Sequence, residues 1–424
     1  MKNAKPTSPF NSYQKGVIPL LAVVQFTIVL DFMVMAPLGD LLMKTLDLNA
    51  TQFASAVSVY AFSAGIAGLL AAGFADKYDR KKLLLFFYSG FIGGTVLCGT
   101  ATSYEWLLLG RIITGLFAGV LGSVSMAIIT DLFSFEQRGR VMGFVQMAFA
   151  VSQVAGIPIG LYLANMSDWH APFLMIVVLS ILTALVILKW MRPVTKHLEV
   201  KLNVNPLAHL QNTVTKKTYL LPFLTTALLS IGGFMLMPFS TPFIINNIGI
   251  SQLQLPIIYV ITGIGSIIIL PLIGKVSDKA GKFPTFIGGT ILAMIMVVIF
   301  TNLSPIPLWS LIGINTLMFA GIMSRMIPSS ALMTAIPRLE DRGAFMSINS
   351  SLQQIAGGIA SVLAGLIIVQ ERNGKLDHFD TLGYVVIFIM ILCAVLMYFI
   401  SEQVARKLRV ASPKEDTVSH EVIV

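Results

Sequence analysis

The sequence predicts an all-α polytopic membrane protein with twelve transmembrane helices, arranged as two six-helix bundles related by a pseudo-twofold axis. Three observations lead there: an excess of apolar residues, a ladder of twelve apolar segments, and a repeat between the two halves. Of 424 residues, 56% are hydrophobic and 12% are charged, about half the charged fraction of a soluble domain. So few charges cannot cover the surface of a soluble globule of this size. The same composition excludes a disordered chain, a coiled coil and a secreted disulfide scaffold. The two cysteines, Cys98 and Cys393, both fall in apolar runs and read as packing thiols.

Crossing the hydrocarbon core takes about 20 apolar residues in a helix. The chain offers twelve such runs, at about 16–41, 52–75, 83–101, 107–130, 141–165, 170–190, 219–246, 253–274, 284–303, 308–334, 344–370 and 381–401. Most connectors are short. The exception is 191–218, which carries Arg192, Lys196, Lys201, Lys216 and Lys217 and separates six spans from six. The expected organisation is a leader at 1–15, a first bundle at 16–190, a linker at 191–218, a second bundle at 219–401 and a tail at 402–424. The leader lacks a small-residue cleavage site and reads as the cytoplasmic approach to an uncleaved first span.

The net charge of +9 would suggest nucleic acid in a soluble protein, but in a membrane protein it reports topology. With the N-terminus placed in the cytoplasm, only Lys44, Arg372 and Lys375 fall outside, and Arg111 and Arg325 lie within spans. The other 24 of the 29 cations fall on the cytoplasmic side. This bias predicts cytoplasmic N- and C-termini in the plasma membrane (the inner membrane, in a bacterium), with lipid and not nucleic acid as the partner.

Displacing the second half by 202–204 residues aligns Phe32-Met33-Val34-Met35 with Phe234-Met235-Leu236-Met237, Asp76-Lys77 with Asp278-Lys279, and Glu136-Gln137-Arg138-Gly139 with Glu340-Asp341-Arg342-Gly343. Three matches in one register imply two related bundles. The segment Ala72-Gly73-Phe74-Ala75-Asp76-Lys77-Tyr78-Asp79-Arg80-Lys81 resembles the signature loop between helices 2 and 3 of the major facilitator superfamily. Gly274 to Lys282 is its counterpart in the second half, and Leu109-Gly110-Arg111-Ile112-Ile113-Thr114-Gly115 resembles the family's helix-4 arginine motif. The resemblance covers about residues 16–401. It is strongest to the twelve-helix proton antiporters that export drugs or sugars, and it implies alternating access between the bundles.

Asp31 is the one carboxylate well inside a span. An intramembrane carboxylate is costly when charged, so a functional role is the default reading; the alternatives are a wetted vestibule carboxylate or a structural ion pair. Arg111 falls at about the same depth in span 4, and the resemblance places helices 1 and 4 beside the central cavity. The two are therefore read as a proton-coupled switch, with a static salt bridge as the alternative. Arg325 in span 10 has no carboxylate on neighbouring spans. Asn349, Gln353 and Gln354 are candidate hydrogen-bond partners for it, and a net positive interior suggests an anionic or carbonyl-rich substrate; a snorkelling arginine is the alternative. Gln25, Gln146, Gln153, Asn315, Arg325, Asn349 and Gln353 are the expected substrate-cavity residues, Asn315 occupying the repeat position of Arg111. The 21 Met and 27 Phe would suit a deformable apolar cavity or ordinary packing equally.

The resemblance also implies a conformational latch made by Asp76, Arg80, Lys81, Asp131, Arg138, Asp278 and Arg342. In it Asp76 faces the start of helix 11 near Ala344, where a helix dipole favours negative charge, and Arg80 pairs with Asp131. Ala72 and Asp79 stand where the family has glycines, and Asp79 is expected to tolerate a left-handed turn. Gly156, Pro158 and Gly160 in span 5 resemble the antiporter bend of helix 5, though its usual adjacent Gly-Pro pair is missing. Trp169 to Phe173 resembles the opening of helix 6.

The histidines show no metal-ligand spacing, and no HExxH, GxSxG, P-loop or CxxC occurs. An enzyme, a metal site and a bound cofactor are therefore not expected. The expected function is export of a small organic compound (drug-like, a sugar or a metabolite) in exchange for protons, by a monomer. Uptake or facilitated diffusion on the same fold is the alternative. A transport-dead sensor or scaffold would need a folded cytoplasmic domain, which a linker and tail of about 25 residues each do not supply.

Overall fold

Inside a bilayer every backbone amide needs an internal partner, so each apolar run folds as a helix. A computed structural model describes residues 10–71, 77–195, 198, 206–338 and 341–411. Its helices are α1 (Ser12–Val34), α2 (Gly39–Thr45), α3 (Ala50–Ala71), α4 (Arg80–Gly99), α5 (Tyr104–Leu132), α6 (Phe135–Val151), α7 (Ile157–Met166) and α8 (Ala171–Trp190) in the first half. The second half has α9 (Pro206–Thr215), α10 (Lys217–Phe234), α11 (Met237–Asn246), α12 (Leu255–Ala280), α13 (Lys282–Thr301), α14 (Leu308–Ala335), α15 (Arg342–Ile367) and α16 (Phe379–Ala411). Twelve spans result among the described residues: α6–α7 and α10–α11 are each one span interrupted partway, α2 continues the path of span 1 beyond a turn, and α9 is a short linker helix that does not span. Span 5 is interrupted by a π turn at Ser152–Gly156, with Pro158 in the first turn of α7. Spans 1 and 7 break after Val34 and Phe234, beside Pro37 and Pro238.

Local chemistry sets the ends. Asn11 and Gln14 cap α1 reciprocally, Gln14 N donating to Asn11 Oδ1 at 2.7 Å and Asn11 N to Gln14 Oε1 at 3.0 Å. Asp79 starts α4 in extended backbone (φ −53°, ψ 123°), so the left-handed turn it could tolerate is not used here. Its Oδ1 accepts from Lys81 N and Val194 N, tying the start of span 3 to the chain leaving span 6. Aspartate at this N-cap supplies a side-chain acceptor that a glycine would lack.

Small residues let the spans touch backbone to backbone. A Cβ on Gly119 would fall 2.1 Å from the Ala64 carbonyl oxygen, and one on Gly115 2.4 Å from that of Tyr60, where α5 crosses α3. The second half packs similarly: a Cβ on Gly289 would meet the Ser324 side chain at 2.4 Å, and one on Gly321 the Ala293 backbone at 2.8 Å. Gly119→Ala is therefore expected to destabilise the protein by about 1–3 kcal/mol through overpacking. Gly122→Ala, with nothing within 4 Å, should stay within about 0.5 kcal/mol. Thermal unfolding of the two variants side by side checks the contrast.

The bundles meet along α3 with α15 and α12 with α7, a pairing that a pseudo-twofold requires. Residues on such an axis should contact their own repeat counterparts, and Phe32 and Phe234 do, edge to face at 6.1 Å. Spans 11 and 12 are joined by a two-strand hairpin, β1 (Val369–Gln370) and β2 (Leu376–Asp377), antiparallel. The linker contributes α9, which packs on α15.

Candidate functional site: a buried ion pair and an interbundle cavity

Asp31 and Arg111 meet in the core of the first bundle. Arg111 Nη1 donates to Asp31 Oδ2 at 2.8 Å and lies 3.3 Å from the Asp31 backbone oxygen. Both side chains have zero solvent exposure. Thr95 Oγ1 of α4 lies 3.4 Å from Asp31 Oδ1, and the Arg111 guanidinium stacks 4.3 Å above the Tyr60 ring of α3. Four spans thus enclose one pair of charges. Arg111 Nε and Nη2 have no hydrogen-bond partner among the described residues. Burial penalises both charges, and their proximity offsets that cost only while both are present. Thr95 and Tyr60 are site residues that sequence reasoning did not find: one is a hydroxyl and the other a ring inside apolar runs, with nothing in the pattern to separate them from packing.

Arg325 lies apart from this pair, within the second bundle. It is 1% exposed, with its guanidinium 5.6 Å from the Phe286 ring of α13. The fully buried Cys393 thiol of α16 lies within its reach. Its Nε and Nη2 are unpartnered among the described residues. Asn349, expected to bond it, instead accepts from Thr226 Oγ1 at 2.5 Å, and neither Gln353 nor Gln354 donates or accepts there. The reason is azimuthal: spacing along a helix gives depth, but span 10 is apolar on most faces and does not disclose which way its arginine points. Each cysteine of the chain lies beside an intramembrane arginine, Cys98 against Arg111 and Cys393 against Arg325.

A small cavity between the bundles is lined by Phe32, Ala36, Val57 and Ala61 from the first and by Phe234, Met237, Pro238, Gly357 and Ser361 from the second. Its wall is apolar apart from Ser361. None of the polar residues expected to line a substrate cavity borders it. Gln25 and Gln153 are half-buried and Gln146 is exposed, while Asn315 Nδ2 lies 3.5 Å from Thr262 Oγ1.

The expected latch residues are spread over several contacts. Arg80 Nε lies 3.2 Å from Asp131 Oδ2. Arg138 caps the end of span 4, donating to the Thr130 oxygen at 2.7 Å and the Phe133 oxygen at 3.2 Å, and Lys81 Nζ donates to the Leu188 oxygen at 2.9 Å. Asp278 is exposed and paired with Lys282, which begins α13 across the helix break at Gly281, and Arg342 is exposed. Asp76 lies outside the described residues. The neighbouring Asp341, which the sequence did not single out, is 1% exposed. It accepts from Lys216 Nζ at 2.6 Å and Tyr219 Oη at 2.8 Å, with His209 Nε2 of α9 at 3.9 Å. The bonded Lys216 ammonium holds its carboxyl below the usual carboxylate range. At the bend of span 5, a Cβ on Gly156 would fall 2.7 Å from Leu30 Cδ1, and one on Gly160 would lie 3.5 Å from Val34 and Pro172, so this turn is where span 5 approaches span 1.

Comparison with known proteins gives the arrangement its family. The model of the Major Facilitator Superfamily matches residues 21–339 and 223–421. An uncharacterized MFS-type transporter of Bacillus subtilis, YbcL, is 23% identical over 383 residues, which span 90% of this chain and 95% of that protein. A probable sugar efflux transporter of Helicobacter pylori is 24% identical over 326 residues, 73% of this chain and 80% of the relative. Among solved structures, a bacterial homolog of the human lysosomal transporter Spinster has the same fold at a TM-score of 0.75 and 15% identity, covering 94% of this chain and 99% of that one. A D-xylose–proton symporter matches at a TM-score of 0.71 and 17% identity, over 91% and 98%. The chain belongs to the Major Facilitator Superfamily and is an integral membrane transporter, not an enzyme.

Proposed function

We propose that this transporter exports a small organic compound in exchange for protons, with both termini in the cytoplasm. The observation that carries the reading is the Asp31–Arg111 pair, fully buried and 2.8 Å apart. A carboxylate at that depth is a natural carrier of one proton per cycle. When Asp31 is neutral, Arg111 loses its counter-charge and must find other acceptors, so protonation biases the packing of spans 1, 3 and 4. Moving one charge across 100 mV supplies about 2.3 kcal/mol, enough to drive export without nucleotide.

Efflux is supported by relatives described as probable sugar efflux transporters. Over 129 residues the chain is also 31% identical to multidrug resistance protein 3 of Bacillus subtilis. The cation distribution supports the orientation. Substrate would sit between the bundles, first against the apolar wall of Phe32, Phe234 and Met237. As the bundles rock apart it would also meet Gln25, Gln146, Gln153, Asn315, Asn349 and Gln353. Arg325, a buried cation without a carboxylate, favours a substrate with an anionic or carbonyl group. Asp76, Arg80, Lys81, Asp131, Arg138, Asp278 and Arg342 would bias the same rocking from the cytoplasmic loops, and the unit would work as a monomer.

The test is purified protein in proteoliposomes with an internal pH dye, challenged with lipophilic cations, organic anions and sugars. Proton movement triggered by one class establishes exchange and names the class. Transport without proton movement would replace this reading with a uniporter.

A further inference from the structure

Spans 1 and 7 break at repeat-related positions, and each resumes as a short helix, α2 and α11. In the repeat register Lys44 of α2 corresponds to Asn246 of α11, and the two side chains meet: Lys44 Nζ donates to Asn246 Oδ1 at 3.2 Å. Asp40 closes the figure. Its Oδ2 accepts from Lys44 Nζ at 2.8 Å and its Oδ1 from Asn246 Nδ2 at 2.5 Å. Three hydrogen bonds thus form a ring that joins the bundles at the charge-poor end of the molecule.

The carboxylate at its apex is 3% exposed, so it depends on these partners for compensation. Asp40 lies in the first turn of α2, where a carboxylate could simply have accepted helix amides. No backbone amide donates to it among the described residues; both oxygens are turned to Lys44 and Asn246. The helices packed against α2, namely α3 and α11, carry no charged side chain, and Lys44 is the cation bonded to Asp40. Asn246 is itself fixed, Nδ2 also donating to the Pro242 oxygen at 3.0 Å. The adjacent Asn247 holds the outer hairpin by two bonds to Leu376. One turn below Asp40, Ala36 forms part of the apolar cavity wall.

We propose that Asp40, Lys44 and Asn246 are the lock of the outer gate. The hydrogen-bonded ring around the Asp40 side chain keeps the cavity closed to the external medium, and breaking that ring releases the two bundles. Asp40 is here a positioning residue of the transport cycle and contacts no substrate. The inference rests on alternating access and on the proposed orientation, but not on proton coupling at Asp31.

The test uses Ser361→Cys as a reporter in the cavity, in full-length protein in right-side-out vesicles, labelled with a membrane-impermeant maleimide added outside. The native Cys98 and Cys393 are fully buried and should stay silent, which also shows that each variant remains folded. Asp40→Asn and Asn246→Ala are each expected to raise the labelling rate at least about tenfold. The exchange Asp40→Asn with Asn246→Asp puts the carboxylate on the opposite bundle, still within reach of Lys44, and should return the rate to within about twofold of the parent. Unchanged labelling in the two single variants overturns the lock, as does an exchange variant labelled as fast as they are. Labelling requires neither substrate nor a proton gradient, so failure of the export reading would leave this result intact, and the reverse holds too.

Discussion

Asp31→Asn is expected to leave the transporter folded and membrane-inserted while abolishing substrate-triggered proton movement, a fall of at least about tenfold toward the level of empty vesicles. The side chain keeps its shape, and an amide can still face Thr95 and accept from Arg111, so the protein stays folded, although the guanidinium left without its counter-charge lowers stability and biases the packing of the enclosing spans. What is lost is the buried carboxylate that is proposed to carry the proton. If the pair were merely a static brace, Asp31→Asn would lower thermal stability, yet proton movement per transported substrate would persist in the folded fraction. Measuring coupling ratio and melting temperature on the same preparation separates the two. A coupled wild type with an unchanged ratio in Asp31→Asn would remove the switch from the mechanism.

That experiment was visible in the sequence because depth is legible there. A carboxylate nine residues before Asp40, in a run of some twenty apolar residues, can only lie in the membrane. The repeat was legible for a similar reason: Phe32 and Phe234 occupy the same register and meet at 6.1 Å. Direction around each helix was not legible. Spans 1, 4 and 10 are apolar on nearly every face, so periodicity does not say which face a lone polar residue occupies. The depths of Asp31 and Arg111 suggested a meeting. The depth of Arg325 gave no hint that it would turn toward Phe286 and Cys393 instead of Asn349. Short elements fared worst: the hairpin at 369–377 and helix α9 are too brief and polar to register beside twenty-residue apolar runs. Asn246 and Asp341 are missed residues with a usable signal, since the repeat register already set Asn246 level with Lys44 and Asp341 lies inside a repeat match.

Removing Arg111 should have the largest effect on stability. Arg111→Ala leaves Asp31 with zero exposure and without its cation, and breaking one side of a buried pair costs about 3–5 kcal/mol. The loss of the guanidinium over the Tyr60 ring adds to this by about 1–2 kcal/mol. Asp31→Asn combined with Arg111→Gln removes both charges, leaves two amides able to bond each other, and should recover most of the charge-related loss. Measured against Asp31→Asn and Arg111→Gln as the two singles, the double variant should therefore be strongly non-additive. The check is thermal unfolding in detergent followed by tryptophan fluorescence, where the double variant should melt well above Arg111→Ala. A double variant as unstable as the sum of the two singles would mean that Arg111 stabilises the bundle through its packing and not through Asp31. The same physics leaves Arg325 as the less constrained cation. With no carboxylate beside it among the described residues, a neutral Met in its place strands no charge, so Arg325→Met should cost far less stability than Arg111→Ala, and a transport assay of that folded variant tests the proposed contact between Arg325 and substrate.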